Sequence, residues 1–115
     1  VLSTPPEKMS DVEKFYEAHK SEKYRAFKSQ TDMFEFVHPE LSKVYGIKYY
    51  CEKYGYDISK VIAFGDTTND LEMVDECGVG VCMCNGTDDV KAVADIITEF
   101  SNDDDGLAKE LEKLM

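Results

Sequence analysis

The spacing of apolar residues changes twice within the first third of the chain. It begins with the three- and four-residue spacing of one helix face, at Met9, Val12, Phe15 and Tyr16. Two short runs rich in aromatic residues follow, at 24–28 and 33–37, with a polar turn between them. Residues 1–37 are therefore predicted to form one helix followed by two strands.

After Pro39 the pattern becomes an alternation of amphipathic helices and continuous apolar runs. The helices are predicted near 44–55, 71–77, 87–93 and 107–114, and the strands at 61–64, 79–83 and 95–98. A continuous apolar run is typical of a parallel strand that is covered on both faces. Helices alternating with such strands indicate right-handed βαβ crossovers. The sequence thus predicts an α/β fold with half of a Rossmann-like parallel sheet, three or four strands flanked by helices, and 61–64 at or near its centre.

The composition of the chain limits the classes of partner and the cellular compartment that are expected. The chain has 115 residues and a formal charge of −11, which disfavours binding to nucleic acid or to anionic membranes but attracts divalent cations. No apolar stretch reaches the roughly 18 residues of a membrane span, and no export signal is recognisable, so a cytoplasmic protein is expected. The four cysteines lack metal-site spacing and are expected to act mainly as small buried apolar residues.

An acidic loop follows the predicted strand 61–64. Asp66 comes two residues after the apolar run, and Asp70 follows one helical turn later. Ligands of open parallel sheets bind beyond the carboxyl ends of the strands, and one or two carboxylates suit Mg²⁺. The alternative is that Asp70 only complements a helix dipole, which is worth about 0.3–1 kcal/mol. That alternative does not explain Asp66, because an acid at the end of a buried strand is costly without a partner.

Lys43 begins the helix that precedes this strand. A lysine there opposes the helix dipole, so its position favours a role at the same sheet edge, beside carboxylates and a bound phosphate. The alternative is an ordinary solvated side chain.

Taken together, the segments Ser42-Lys43, the apolar strand with Gly65-Asp66-x-x-Asn69-Asp70, and Ser101-Asn102-Asp103-Asp104-Asp105-Gly106 resemble the haloacid dehalogenase superfamily. Within it, the sequence is similar to the Cof-like phosphatases that carry a type IIB cap. The resemblance implies that residues 1–37 are the C-terminal piece of an α+β cap domain, and that 38–115 are the C-terminal half of the hydrolase core.

The resemblance also implies the chemistry. Asp66 is expected to bind Mg²⁺ with Asp70 as a second acid at the metal site, Asn69 to position a phosphoryl or water oxygen, and Lys43 to balance charge on the nucleophile and the transferred phosphoryl group. Such enzymes hydrolyse phosphomonoesters, of sugars or related small molecules, through an aspartyl-phosphate intermediate. Thr67 stands where the family most often has glycine, so a positive φ there would strain the loop. Cys84-Asn85-Gly86 also departs from the family pattern, which leaves the role of Asn85 open.

The family's nucleophile lies in an N-terminal Asp-x-Asp-Gly motif that follows an apolar strand, and no motif in that setting is found in this chain. Asp103-Asp104-Asp105-Gly106 fits the letters but leads into the closing helix, and it corresponds to the family's C-terminal signature instead. We therefore expect a C-terminal fragment without turnover, which self-associates through the open sheet edge at 61–64 or 79–83. The alternatives are a half-protein that binds a metal or a partner without catalysis, and part of a P-type ATPase phosphorylation domain.

Overall fold

The computed structural model describes all 115 residues and divides into two compact units, Val1–Leu41 and Ser42–Met115. The first unit is a three-stranded antiparallel sheet with one helix. Its elements are β1 (Leu2–Ser3), α1 (Met9–Ala18), β2 (Arg25–Gln30) and β3 (Met33–Val37), and the strand order is β1-β3-β2. The predicted helix and both predicted strands are present.

The core of the first unit is small and aromatic. Phe34 is 2% exposed and Met9 is 3% exposed. The ring of Tyr16, on α1, lies edge-on to Phe34 and Phe36 of β3, with centroid distances of 5.6 and 6.3 Å. Offset and edge-to-face aromatic pairs of this kind stabilise a fold beyond the area that they bury. The helix is thereby packed on one face of the sheet.

The second unit is the α/β unit. It consists of α2 (Lys43–Tyr54), β4 (Ile62–Gly65), α3 (Leu71–Glu76), β5 (Val79–Cys82), α4 (Asp88–Val93), β6 (Ile96–Ile97) and α5 (Gly106–Leu114). All three strands are parallel, in the order β4-β5-β6, with Ile62 paired to Val79 and Val81 paired to Ile96. A parallel sheet flanked by helices confirms the predicted fold class.

Residues 61–64 were predicted to lie at or near the centre of the sheet, and β4 is instead an edge strand beside the central β5. β5 is bonded on both sides and contains Val81 and Cys82, each 0% exposed, whereas β4 is an edge strand with Ile62 37% exposed. The apolar run in β4 could not reveal this, because helices on both faces make any parallel strand apolar. It follows that 79–83, in the central strand, offers no open edge, and that the two edges of the sheet are β4 and β6.

Close packing between α3 and β5 explains why position 80 is a glycine. A Cβ atom on Gly80 would lie 1.9 Å from the carbonyl oxygen of Val74, so only glycine allows the strand to pass the end of the helix at this distance. Val74, Cys82 and Val90 form the buried cluster behind this contact. Burial raises the pKa of the Cys82 thiol, as expected of a cysteine that packs as an apolar side chain.

None of the five α-helices combines the length and the apolar character needed to cross a membrane.

Candidate metal and phosphate site

The loop that follows β4 is held against the strand by a close approach to Gly65. A Cβ atom at this position would lie 2.6 Å from Cβ of Asp70 and 2.8 Å from Cγ2 of Val74. The chain then makes a short 3₁₀ turn at Thr68–Asp70 and continues directly into α3. The absence of a side chain at Gly65 thus allows Asp70 to fold back over the end of the strand.

Asp70 is the buried centre of the site. It is 3% exposed, and both of its carboxylate oxygens are engaged. Oδ1 forms an ion pair with Nζ of Lys43, and Oδ2 accepts hydrogen bonds from the backbone N–H groups of Asp66 (3.0 Å) and Thr67 (3.4 Å). Asp70 therefore joins the start of α2 to the loop that carries Asp66.

Lys43 reaches this carboxylate from the first turn of α2. Ser42 caps that helix, with its Oγ accepting the N–H of Tyr45 at 3.2 Å. The Lys43 side chain is 49% exposed, so its ammonium group contacts Asp70 while remaining accessible to solvent or to a ligand. The ion pair with Asp70 explains why a lysine occupies the first position of α2, although the helix dipole disfavours a positive charge there.

The pKa values of Asp66 and Asp70 shift in opposite directions. Burial alone would raise the pKa of Asp70, but the hydrogen bond with Lys43 and the backbone N–H groups of Asp66 and Thr67 outweigh it, so the pKa lies below its usual range. The pKa of Asp66 is raised, first by loss of hydration and then by the neighbouring Asp70, while Lys43 opposes the shift. Asp66 thus has the carboxylate that would gain most from a further positive charge.

These residues line a pocket of about 390 Å³ at the carboxyl ends of the strands. Its walls are formed by Lys43, Phe64, Gly65, Asp66, Asp70, Met73, Met83, Asn102 and Leu107. The structure therefore brings three of the four predicted site residues to one cavity. Asn69 lies on the same turn but accepts a hydrogen bond from the Thr67 hydroxyl and is not part of the lining.

The loop accommodates Thr67 without backbone strain. Its φ and ψ are −130° and 165°, which is extended backbone that any residue adopts. Asp105, with φ of 58°, is the one residue other than glycine in the left-handed region. The replacement of the family's usual glycine by Thr67 therefore does not distort the site.

The remaining pocket residues were not predicted from the sequence. Phe64, Met73, Met83 and Leu107 were interpreted only as apolar positions, and Asn102 only as part of a family signature. Because Asn102 follows β6 at the carboxyl edge of a parallel sheet, the predicted strand at 95–98 contained the signal that could have placed it here. Asp103, Asp104 and Asp105 do not line the pocket.

The pocket supplies few protein ligands for Mg²⁺. No group of three or more His, Cys, Asp or Glu side chains is arranged to hold a metal. Mg²⁺ nevertheless often uses one or two carboxylates and completes its shell with water and substrate phosphate. With Asp70 already engaged by Lys43 and two backbone N–H groups, the Asp66 carboxylate fits such a site as its single direct protein ligand.

Comparison with known proteins agrees with this fold. The sequence profile of the haloacid dehalogenase-like hydrolase family matches residues 1–111. The chain therefore belongs to the haloacid dehalogenase-like hydrolases, and the resemblance inferred from its motifs is confirmed.

Individual relatives come from several organisms. The chain is 36% identical over 90 residues to a 5-amino-6-(5-phospho-D-ribitylamino)uracil phosphatase of Bacillus subtilis, covering 78% of this chain and 33% of that protein. It is 42% identical over 80 residues to a chloroplastic endoribonuclease of Arabidopsis thaliana, covering 70% of this chain and 14% of that protein. The crystal structure of a haloacid dehalogenase-like hydrolase from Bacteroides thetaiotaomicron superposes with a TM-score of 0.80 at 33% identity, covering 98% of this chain and 42% of that chain.

The chain thus spans well under half the length of each of these proteins. The match to the Arabidopsis protein is confined to a seventh of its length, so the endoribonuclease activity in that protein's name says little about these residues.

Proposed function

We propose that this chain supplies the lysine and magnesium part of a phosphatase that hydrolyses small phosphate esters, with sugar phosphates and related phosphorylated metabolites as the substrate class. The observation that carries the proposal is the connection of Lys43, Asp70 and Asp66 in one pocket at the end of β4. The relatives support it, since the Bacillus subtilis protein is a phosphatase of a phosphorylated ribityl compound.

The proposed roles follow from the contacts. Asp66 would hold Mg²⁺ through its exposed carboxylate, and the bound metal would neutralise charge on the phosphoryl oxygens. Asp70 holds the Asp66 backbone in place and stays outside the inner shell, because its oxygens are already engaged. Lys43 keeps a positive charge in the pocket, where it would attract the phosphoryl group. Asn69 would position a phosphoryl or water oxygen after a rotation that releases it from Thr67.

The full reaction would need a further carboxylate. In the proposed mechanism a nucleophilic aspartate oxygen attacks phosphorus while the ester oxygen leaves with a proton, and water then cleaves the resulting acyl phosphate to free aspartate and inorganic phosphate. Asp66 and Asp70 are the only carboxylates lining the pocket, and both have other roles in this proposal. We therefore propose that these 115 residues bind metal and phosphate without turnover, with 38–115 as part of the hydrolase core and 1–37 as part of a cap.

A binding protein without catalysis is the second candidate. It differs from the first in that no further carboxylate would complete the site, and the observation that favours it is that Asp66 and Asp70 are the only carboxylates lining the pocket. The match of the hydrolase family over residues 1–111 favours a phosphatase over the P-type ATPase alternative.

Magnesium titration monitored by NMR of the backbone amides at residues 66–70 tests the metal role. We expect dissociation constants in the millimolar range, because most ligands of the metal would be water. Asp66→Asn should abolish the saturable shifts. Asp75→Asn is the matched control, since Asp75 is an exposed acid on α3 outside the pocket. Equal loss in both variants would mean diffuse attraction of cations to an acidic surface, and the metal role would be wrong.

A further inference from the structure

Two loops meet at the carboxyl edge of the sheet, and a buried hydroxyl fixes the distance between them. The loop after β5 contains Cys84 and Asn85, and the loop after β6 contains Thr98 through Asp105. Thr98 is 3% exposed; its Oγ1 accepts the N–H of Cys84 at 3.0 Å and donates to the carbonyl oxygen of Phe100 at 2.7 Å. The two loops therefore form one connected wall beside the pocket.

A second connection joins the side chains at the surface of this wall. Nδ2 of Asn85 donates to Oδ1 of Asn102 at 2.6 Å, across 17 positions of sequence. Asn102 lines the same pocket as Lys43 and Asp66. Capping of the 3₁₀ turn Asn102–Asp104 does not explain the orientation of the Asn102 side chain. Ser101 caps that turn by accepting the N–H of Asp103.

The bond from Asn85 determines which half of the Asn102 carboxamide is available. The oxygen is engaged, so the group that remains is the NH₂, a donor of two hydrogen bonds. Its contact in the structure is a long one, 3.3 Å to Oδ1 of Asp103. A neutral donor held in a pocket with the Lys43 ammonium suits an anionic oxygen ligand.

We propose that Asn102 is a phosphate-binding residue of this pocket, donating an N–H to a phosphate oxygen, and that Asn85 is a positioning residue that fixes the orientation of the Asn102 carboxamide. The inference rests on the proposed function for the identity of the ligand. It gives Asn85 a role through Asn102, without contact of its own with the ligand.

Inorganic phosphate in the presence of Mg²⁺ is the probe, with binding to the 115-residue chain followed by NMR of the Lys43 and Asp66 amides. A hydrogen bond to a charged acceptor predicts that Asn102→Ala weakens phosphate binding about tenfold. Asn85→Ala should weaken it about threefold, because the carboxamide remains but is no longer oriented. Asn102→Asp should weaken it at least as much as Asn102→Ala, since a carboxylate repels phosphate.

Binding of Mg²⁺ alone and the midpoint of thermal unfolding are the internal controls. Both should stay within about twofold and about 2 °C of the wild type in Asn85→Ala and Asn102→Ala, because neither amide is proposed to contact the metal and neither change alters the charge of the pocket. Parallel loss of metal binding and stability in these variants would mean that the pair is only structural, and the inference would be wrong.

The two proposals fail in different ways. Wild-type phosphate binding that is unchanged in Asn102→Ala would overturn the role of Asn102 and leave the proposed function intact. A wild-type chain that binds no phosphate under any magnesium concentration would overturn both.

Discussion

The ion pair between Lys43, the first residue of α2, and Asp70, the residue before α3, predicts a large coupling energy between the two side chains. Asp70 has a side chain that is 5% exposed, whereas that of Lys43 is 49% exposed. Lys43→Met would leave a buried carboxylate with only its two backbone N–H donors. Removing one partner of a fully buried pair costs about 3–5 kcal/mol, and solvent access around Lys43 reduces the expected cost to roughly 2 kcal/mol.

Asp70→Asn removes the other partner in a milder way. Lys43 can turn to water, and the carboxamide oxygen still accepts one backbone N–H, so a cost of about 1–2 kcal/mol is expected. The double variant leaves neither an unpaired buried charge nor an unmatched cation. The free energy of unfolding of the double variant should therefore be about 1–2 kcal/mol higher than the value expected from adding the losses of the two single variants.

Urea unfolding followed by circular dichroism measures this cycle at pH 7. The matched control is a second cycle on Lys48 and Glu76, an ion pair whose side chains are 52% and 40% exposed. Exposed pairs contribute little, so the coupling there should stay below about 1 kcal/mol. A coupling energy for Lys43 and Asp70 no larger than that of the control would refute the assignment of a connected site.

The same variants give a pH test with a defined sign. The pKa of Asp70 is lowered in the folded state, so its ionised form stabilises the fold at pH values above the unfolded value of about 3.9. That contribution is lost as the pH falls through the folded pKa. The difference in unfolding free energy between wild type and Asp70→Asn should therefore be full at pH 7 and shrink below about pH 4. A difference that grows on acidification would contradict the described geometry.

Three further outcomes are expected. Gly65→Ala should lower the free energy of unfolding by about 2–4 kcal/mol, because its Cβ would overlap Asp70. Gly46→Ala is the control: it lies in the interior of α2, its Cβ would have no atom within 4 Å, and it should raise the free energy of unfolding by about 0.5–1 kcal/mol. Light scattering should detect self-association through the open edge of β4 that Ile62→Lys reduces, and a monodisperse wild-type monomer would exclude it. Assays with small phosphate esters should find no turnover, and hydrolysis that disappears with Asp66→Asn would disprove this.

Much of the fold was predictable because each element has its own periodic signal. The strands of the α/β unit were found within two residues of their bounds, since a continuous apolar run between helices has few other interpretations. β1 was missed because Leu2–Ser3 is too short to form a pattern and is defined only by pairing with β3. The edge position of β4 was missed because sequence records burial on the faces of a sheet but not the number of neighbouring strands.

The site residues that could be predicted from the sequence are those whose residue type is unfavourable at their position in the local structure. Asp66 and Lys43 stood out because each is locally unfavourable, an acid after a buried strand and a cation at a helix start. Asn102 did not stand out, because an asparagine in an acidic turn is locally favourable. The hydrogen bond that its side chain accepts from Asn85 is visible only in the folded chain.

The strand order of the α/β unit also has a consequence for how fast it can form. Each strand pairs with the next strand along the chain, Ile62 with Val79 and Val81 with Ile96, so every sheet contact closes only one short crossover. Folding rates fall as contacting residues lie further apart in sequence, because loop-closure entropy must be overcome before the contact forms. The unit from Ser42 to Met115 is therefore expected to refold quickly for a parallel sheet, from one βαβ nucleus around β5, in a step that requires no strand from elsewhere in the chain.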